Sequence, residues 1–161
     1  MRLVAERTIC RAYLAGVIDL LSRKYDFTIK DCQGRTKILD PVRRQTVLLT
    51  PEEWVRQHVL RYLIDDRGYP TARLAVERTI RVNNLDKRFD IAFYSVDGQP
   101  VLIAEIKRPG QPLNEAAFRQ LLTYNQALRA RILLWSNGAE THVFDTETGQ
   151  WLEDVPACPA F

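Results

Sequence analysis

The feature that most constrains the fold is a hairpin that ends in charge. Phe89 to Val96 and Val101 to Lys107 are apolar runs joined through Asp97-Gly98, a pair that suits a tight β-connection. Runs this apolar belong in the middle of a sheet covered on both faces, so the flanking elements must supply the cover. Glu105 and Lys107 close the second run two residues apart, hence on one face, and Asp90 sits near the start of the first. Ionised groups beside an apolar strand are costly unless they are paired or bind a metal. Two carboxylates, a backbone carbonyl and waters suit Mg²⁺, which prefers octahedral oxygen coordination. Such an ion lowers the pKa of a bound water and stabilises charge developing on a phosphate, while Lys107 orients the water or the phosphate. That is phosphodiester-cleavage chemistry. A plain salt bridge among Glu105, Lys107 and Asp90 is the alternative reading of the same spacing.

Elements on either side complete an α/β pattern. Thr50-Pro51-Glu52-Glu53 opens a helix, with Thr as N-cap, Pro in the first turn and Glu53 at the capping-box position; it runs to about Asp66, before Gly68-Tyr69-Pro70. Leu74 to Val82 is an edge or mixed strand, followed by a turn at Asn83-Asn84. Asn114 caps a second helix, Glu115 to about Ala130, whose apolar face includes Phe118, Leu121, Leu122 and Leu128. Ile132 to Trp135 is a short buried strand, and His142 to Asp145 pairs with the residues before Trp151 across Thr148-Gly149. Upstream, residues 25–49 carry three short strand-like stretches, a small β-meander. Residues 3 to 24 show helical spacing at Cys10, Tyr13, Leu14, Val17, Ile18 and Leu21, an N-terminal helical extension over 1–24. The division is therefore 1–24, 25–49 and an α/β domain over 50–161.

Composition narrows the function classes. No apolar run approaches the ~20 residues of a membrane span, and 161 residues are enough for one packed domain. A net charge of +3 permits nucleic-acid binding without requiring it. Cys10, Cys32 and Cys158 lack zinc-site spacing and fit a reducing cytoplasm. Asp19 interrupts the apolar stretch Ala12 to Leu21, and no small-residue cleavage site follows, which argues against a secretory signal. No GxxxxGK[ST] phosphate loop is present, so any ATP-driven motor is a separate helicase or modification subunit.

Asp90, the fifteen-residue interval, Glu105-Ile106-Lys107 and a helix on each side resemble the PD-(D/E)xK nuclease superfamily. More closely, Thr50-Pro-Glu-Glu-Trp-Val-Arg-Gln57, Arg88-Phe-Asp-Ile91, Ala104-Glu-Ile-Lys-Arg-Pro109 and Ser136-Asn-Gly138 resemble stand-alone bacterial proteins grouped with the N-terminal nuclease domain of type I restriction enzyme R subunits. The similarity spans roughly 25 to 155; Phe89 stands where the superfamily often has Pro. It implies a restriction-endonuclease-like αβββαβ core, a central mixed sheet flanked by helices. It also implies a Mg²⁺-dependent DNA endonuclease, with Mn²⁺ as a substitute, in which Asp90 and Glu105 are the metal ligands and Lys107 the catalytic lysine. The alternative is a non-cleaving DNA-binding or assembly module of a restriction or repair complex. Cutting both strands would suit a homodimer.

A helical Glu also belongs to the resembled pattern. At 100° per residue Glu52 lines up with Val55, Val59 and Leu63 toward the sheet, whereas Glu53 falls toward the edge, so Glu52 is the predicted site carboxylate. Gln120 and Tyr124, four apart on the second helix, repeat the QxxxY arrangement of several superfamily branches; Gln120 would hydrogen-bond the lysine or a DNA phosphate, and Tyr124 would offer its hydroxyl. Arg56, Arg61, Arg108 and Arg119 flank these positions as phosphate contacts, which would make DNA affinity fall with salt. His58 packs on its helix, and Trp54, Trp135 and Trp151 are core or rim residues.

Overall fold

The computed structural model describes residues 17–82 and 84–158. Three strands, β1 (Ile29–Cys32), β2 (Arg35–Asp40) and β3 (Gln45–Leu48), form a small antiparallel sheet. Helix α1 (Pro51–Arg61) follows and widens into one π-helical turn, Tyr62–Asp66. Then come β4 (Leu74–Val82), β5 (Leu85–Tyr94), β6 (Pro100–Ile106), α2 (Glu115–Leu128), β7 (Ile132–Ser136), β8 (Thr141–Asp145) and β9 (Gln150–Leu152). These six strands make one sheet in chain order, antiparallel throughout except for the parallel pair β6 and β7 that α2 connects. The mixed α/β architecture predicted from the hairpin and its flanking helices is present.

Each helix covers one face. Val55, Val59, Leu60 and Leu63 pack with Ile91, Phe93, Leu102, Ala104 and Ile106 on the α1 side. Phe118 and Leu121 pack with Ala92, Ile103, Leu133 and Trp135 on the α2 side. Local chemistry sets where the helices begin: Thr50 Oγ1 accepts from the Glu53 amide (3.0 Å) and Asn114 Oδ1 from the Ala117 amide (2.9 Å), meeting N–H groups that the first turn leaves unpaired. All three Trp residues lie in aromatic contacts, Trp54 against Phe27 and His58, and Trp135 and Trp151 against Phe118.

The predicted N-terminal helix falls largely on residues outside those described. Its described part, 17–24, is not helical. Asp19 Oδ1 accepts from the amides of Leu21 and Ser22, a local turn that competes with helix, and the Leu20 amide donates to the Gly138 carbonyl (2.8 Å). Ile18 and Leu20 thus enter the α1-side core, and the Leu21 side chain lies where a Cβ on Gly138 would collide with it. The three-stranded sheet is likewise fastened to α1: Ile38 is fully buried, Asp40 bonds Gln57 and Arg43 bonds Glu53.

Candidate active site

Asp90 sits where two regular patterns break. In the β5–β6 register Ile91 faces Ala104; one step on, the ladder gives way and the Ile106 amide donates to Asp90 Oδ2 (2.7 Å) instead of to a backbone carbonyl. Along β5, Phe89 packs in the α2-side core while Ile91 packs in the α1-side core, although residues two apart on a strand should share a face. The alternation reverses at Asp90. Across the hairpin, Val76 pairs with Ile91 and Arg78 with Phe89, so the residue opposite Asp90 is Glu77, whose φ of 51° is left-handed. Such backbone in a non-glycine residue costs of order 1–3 kcal/mol and persists only where its surroundings hold it.

Those surroundings are ionic. Arg56 Nη2 donates to Asp90 Oδ1 (2.7 Å) and to Glu52 Oε1 (3.2 Å), with Glu77 Oε1 at 3.8 Å; its Nη1 donates to Glu53. Arg43, in the turn after β2, reaches Asp40 (2.9 Å), Glu53 (2.6 Å) and Glu77 (2.8 Å). Gln57 Nε2 donates to both Asp40 and Glu53. Five carboxylates, Asp40, Glu52, Glu53, Glu77 and Asp90, therefore surround two guanidiniums. Burial opposes the charge of Arg56, but its hydrogen bond to Asp90 and the fields of Asp90, Glu53 and Glu77 outweigh that and raise its pKa.

On the other side of the strand end, Lys107 Nζ donates to Glu105 Oε1 (2.9 Å), and the Lys107 amide is held by the Ser136 carbonyl (2.8 Å). Burial would lower the Lys107 pKa; the Glu105 bond and the fields of Glu105, Asp90 and Glu52 override it, so the ammonium stays charged. The loop Ser136-Asn137-Gly138 is built by its own bonds, Gly138 N–H to Ser136 Oγ (3.0 Å) and Glu140 N–H to Asn137 Oδ1 (2.8 Å), and Asn137 Nδ2 ties it to the Gln111 carbonyl.

The structure brings Asp90, Glu105 and Lys107 to adjacent strand ends. It reverses the placement of the two helical carboxylates. The Glu53 side chain is 6% exposed and inside the network, whereas Glu52 is 46% exposed at its rim, within the field of Lys107. The reason is tertiary: the three-stranded sheet covers a second face of α1, so the helical wheel has two buried sides. Arg56, expected at a phosphate, is 4% exposed and has both terminal nitrogens on carboxylates. Gln120 donates to Tyr124 Oη (3.1 Å) rather than meeting Lys107, and Lys87 lies over the Tyr124 ring. Arg119 is ion-paired with Glu115, Arg61 reaches Asp65 (3.6 Å), and Arg108 is exposed on the loop after β6. Asp40, Arg43, Gln57 and Glu77 enter the site without having been singled out from sequence.

Asp90 and Glu105 offer hard oxygen donors of the kind Mg²⁺ takes, and their side chains remain 17% and 21% exposed, so the donor chemistry fits a divalent ion. As paired here, Asp90 spends one oxygen on Arg56 and the other on Ile106, and among the described residues no three acidic, His or Cys side chains are grouped to hold a metal.

Comparison with known proteins bears on the family and the fold. The profile of the family described as the type I restriction enzyme R protein N terminus matches residues 51–159, well over half of the chain. No curated protein matches. Among solved structures, a fragment described as an HsdR subunit of a type I restriction enzyme from Vibrio vulnificus YJ016 superposes with a TM-score of 0.53 at 22% identity, over 68% of this chain and 24% of that one. At that identity the likeness is one of fold, and this chain corresponds to a small part of that fragment's length.

Proposed function

The chain belongs to the family of the type I restriction enzyme R protein N terminus, and on that premise we propose that it is a PD-(D/E)xK nuclease domain that hydrolyses DNA phosphodiesters with Mg²⁺, Mn²⁺ substituting. The single observation that carries this reading is the convergence of Asp90, Glu105 and a charged Lys107 where β5 and β6 part. Asp90 and Glu105 would hold the ion, which supplies an acidified water and charge neutralisation at the phosphate. Lys107 would orient the attacking water or donate to a phosphate oxygen. Glu52 at the rim adds to the field that Glu105 and Asp90 exert on that ammonium. Gln120, Tyr124, Arg108 and Arg119 lie on the side open to substrate and would contact the DNA backbone, which positions the duplex without reading its sequence. The cleavage module would work in the cytoplasm with a separate helicase or modification subunit, or as a homodimer.

Plasmid cleavage in Mg²⁺ by wild type and by Asp90→Ala, Glu105→Ala and Lys107→Ala tests this. Each substitution should reduce the rate by at least about a hundredfold; equal rates in all four proteins would end the reading. The engagement of both Asp90 oxygens favours a second reading, a DNA-binding or assembly module that does not cut. Salt-sensitive DNA binding with no cleavage across several metals would select it.

A further inference from the structure

Arg56 occupies the place of a cation. Its Nη2 is 2.7 Å from Asp90 Oδ1, and the same nitrogen has Glu52 at 3.2 Å and Glu77 at 3.8 Å, while Nη1 stays on Glu53. A buried guanidinium released from one carboxylate is ordinarily stranded at high cost. Here it is not, because two further carboxylates already stand beside the nitrogen that would be released. Glu77 is held ready by Arg43, and its left-handed backbone, opposite Asp90 across the hairpin, turns it into the network.

We propose that Arg56 is a positioning residue for Asp90: it neutralises the carboxylate in the metal-free state, and a divalent ion takes Asp90 Oδ1 by displacing Nη2 toward Glu77 and Glu52. The inference rests on the reading of Asp90 and Glu105 as metal ligands. It makes metal binding a competition between two cations for one oxygen, with Glu77 as the receiving site. Two substitutions then act in opposite directions. Removing the competitor strengthens metal binding, and removing the receiver weakens it, whereas residues with a merely structural role would weaken binding in both cases.

The experiment is Mn²⁺ binding to the full chain, followed by electron paramagnetic resonance, for wild type, Asp90→Ala, Arg56→Met and Glu77→Gln. The expected result is a Kd lowered roughly tenfold by Arg56→Met and raised severalfold by Glu77→Gln. An unchanged or weakened Kd in Arg56→Met, with binding present in wild type and lost in Asp90→Ala, overturns this inference alone. Absent binding in wild type, or undiminished binding in Asp90→Ala, overturns the metal-ligand reading and this inference with it. Should Arg56→Met fail to fold, side-chain nitrogen NMR of wild type decides: Mg²⁺ should shift the Arg56 guanidinium signals, and signals that stay in place while Mg²⁺ binds would refute the displacement.

Discussion

On the α1 side of the β5–β6 strand end, Asp40, Arg43, Glu53, Arg56 and Glu77 are tied into one paired network; on the α2 side Glu105 and Lys107 hold each other, Tyr124 is half-buried and Gln120 is exposed. Asp90 belongs to both sides, through Arg56 and through the Ile106 amide beside Lys107. Charge removed from water needs every partner in place, so the closed side is the one whose residues fix geometry at the expense of tolerance. The open side keeps its groups near solvent, where a phosphate can reach them. On the proposed reading, one half shapes Asp90 and the other meets the substrate.

The sharpest way to break that division is to remove one acid from each half. Glu53→Ala removes the acceptor that Arg43, Arg56 and Gln57 share, and should destabilise the fold by about 3 kcal/mol in urea unfolding. Glu105→Gln loosens only a half-exposed pair with Lys107 and should cost under about 1 kcal/mol while still abolishing cleavage. Comparable unfolding midpoints for the two variants would show that the halves do not differ in the way their burial implies.

What sequence makes legible follows the same division. Asp90, Glu105 and Lys107 are marked by local pattern, charges at the end of apolar strands, and the Thr50 and Asn114 caps are marked by backbone chemistry within three residues. Glu53 is concealed because its burial comes from strands β1 to β3, packed across a face of α1 that helical periodicity alone assigns to solvent. Glu77 is a different case. Val82 pairs with Leu85, and counting back along that register puts Glu77 opposite Asp90; the sequence signal is the turn predicted from Asn83-Asn84, and reading it requires pairing β4 with β5. The segment 17–24 misleads because its apolar spacing suits a helix while Asp19 offers the amides of Leu21 and Ser22 a turn.

That segment supplies the next test, because it fastens the open half from behind. Leu20 is fully buried, and its amide holds the Gly138 carbonyl in the loop whose Ser136 carbonyl holds the Lys107 amide. Leu20→Ala should cost about 2–4 kcal/mol in thermal or urea unfolding, as a large-to-small change in a packed core does. A cost near zero would mean that the N-terminal segment is an appendage after all, and that the open half is supported by its own strands.

The smallest expected effect concerns pH, and it separates the buried histidines from Lys107. His58 lies on α1 among Trp54, Phe27 and Tyr25, donates Nδ1–H to the Trp54 carbonyl (2.9 Å), and has its pKa lowered from 6.5 by burial, the Trp54 bond opposing in part. A folded-state pKa below the unfolded one means that the unfolded chain binds the proton more readily. Stability contributed by neutral His58 is therefore complete above 6.5 and declines as pH falls from there through the folded value. His142, lowered by burial among Trp135 and Trp151, adds to the decline in the same direction. Lys107 remains charged across this range, because its pKa is raised, so Lys107 itself contributes nothing to the decline. The urea midpoint should accordingly drop between about pH 7.5 and about pH 5.5, and His58→Gln should make that drop shallower than in wild type while Lys107→Met leaves its slope alone. If Lys107→Met instead flattens the profile, the charge that titrates belongs to the open half and the division fails there.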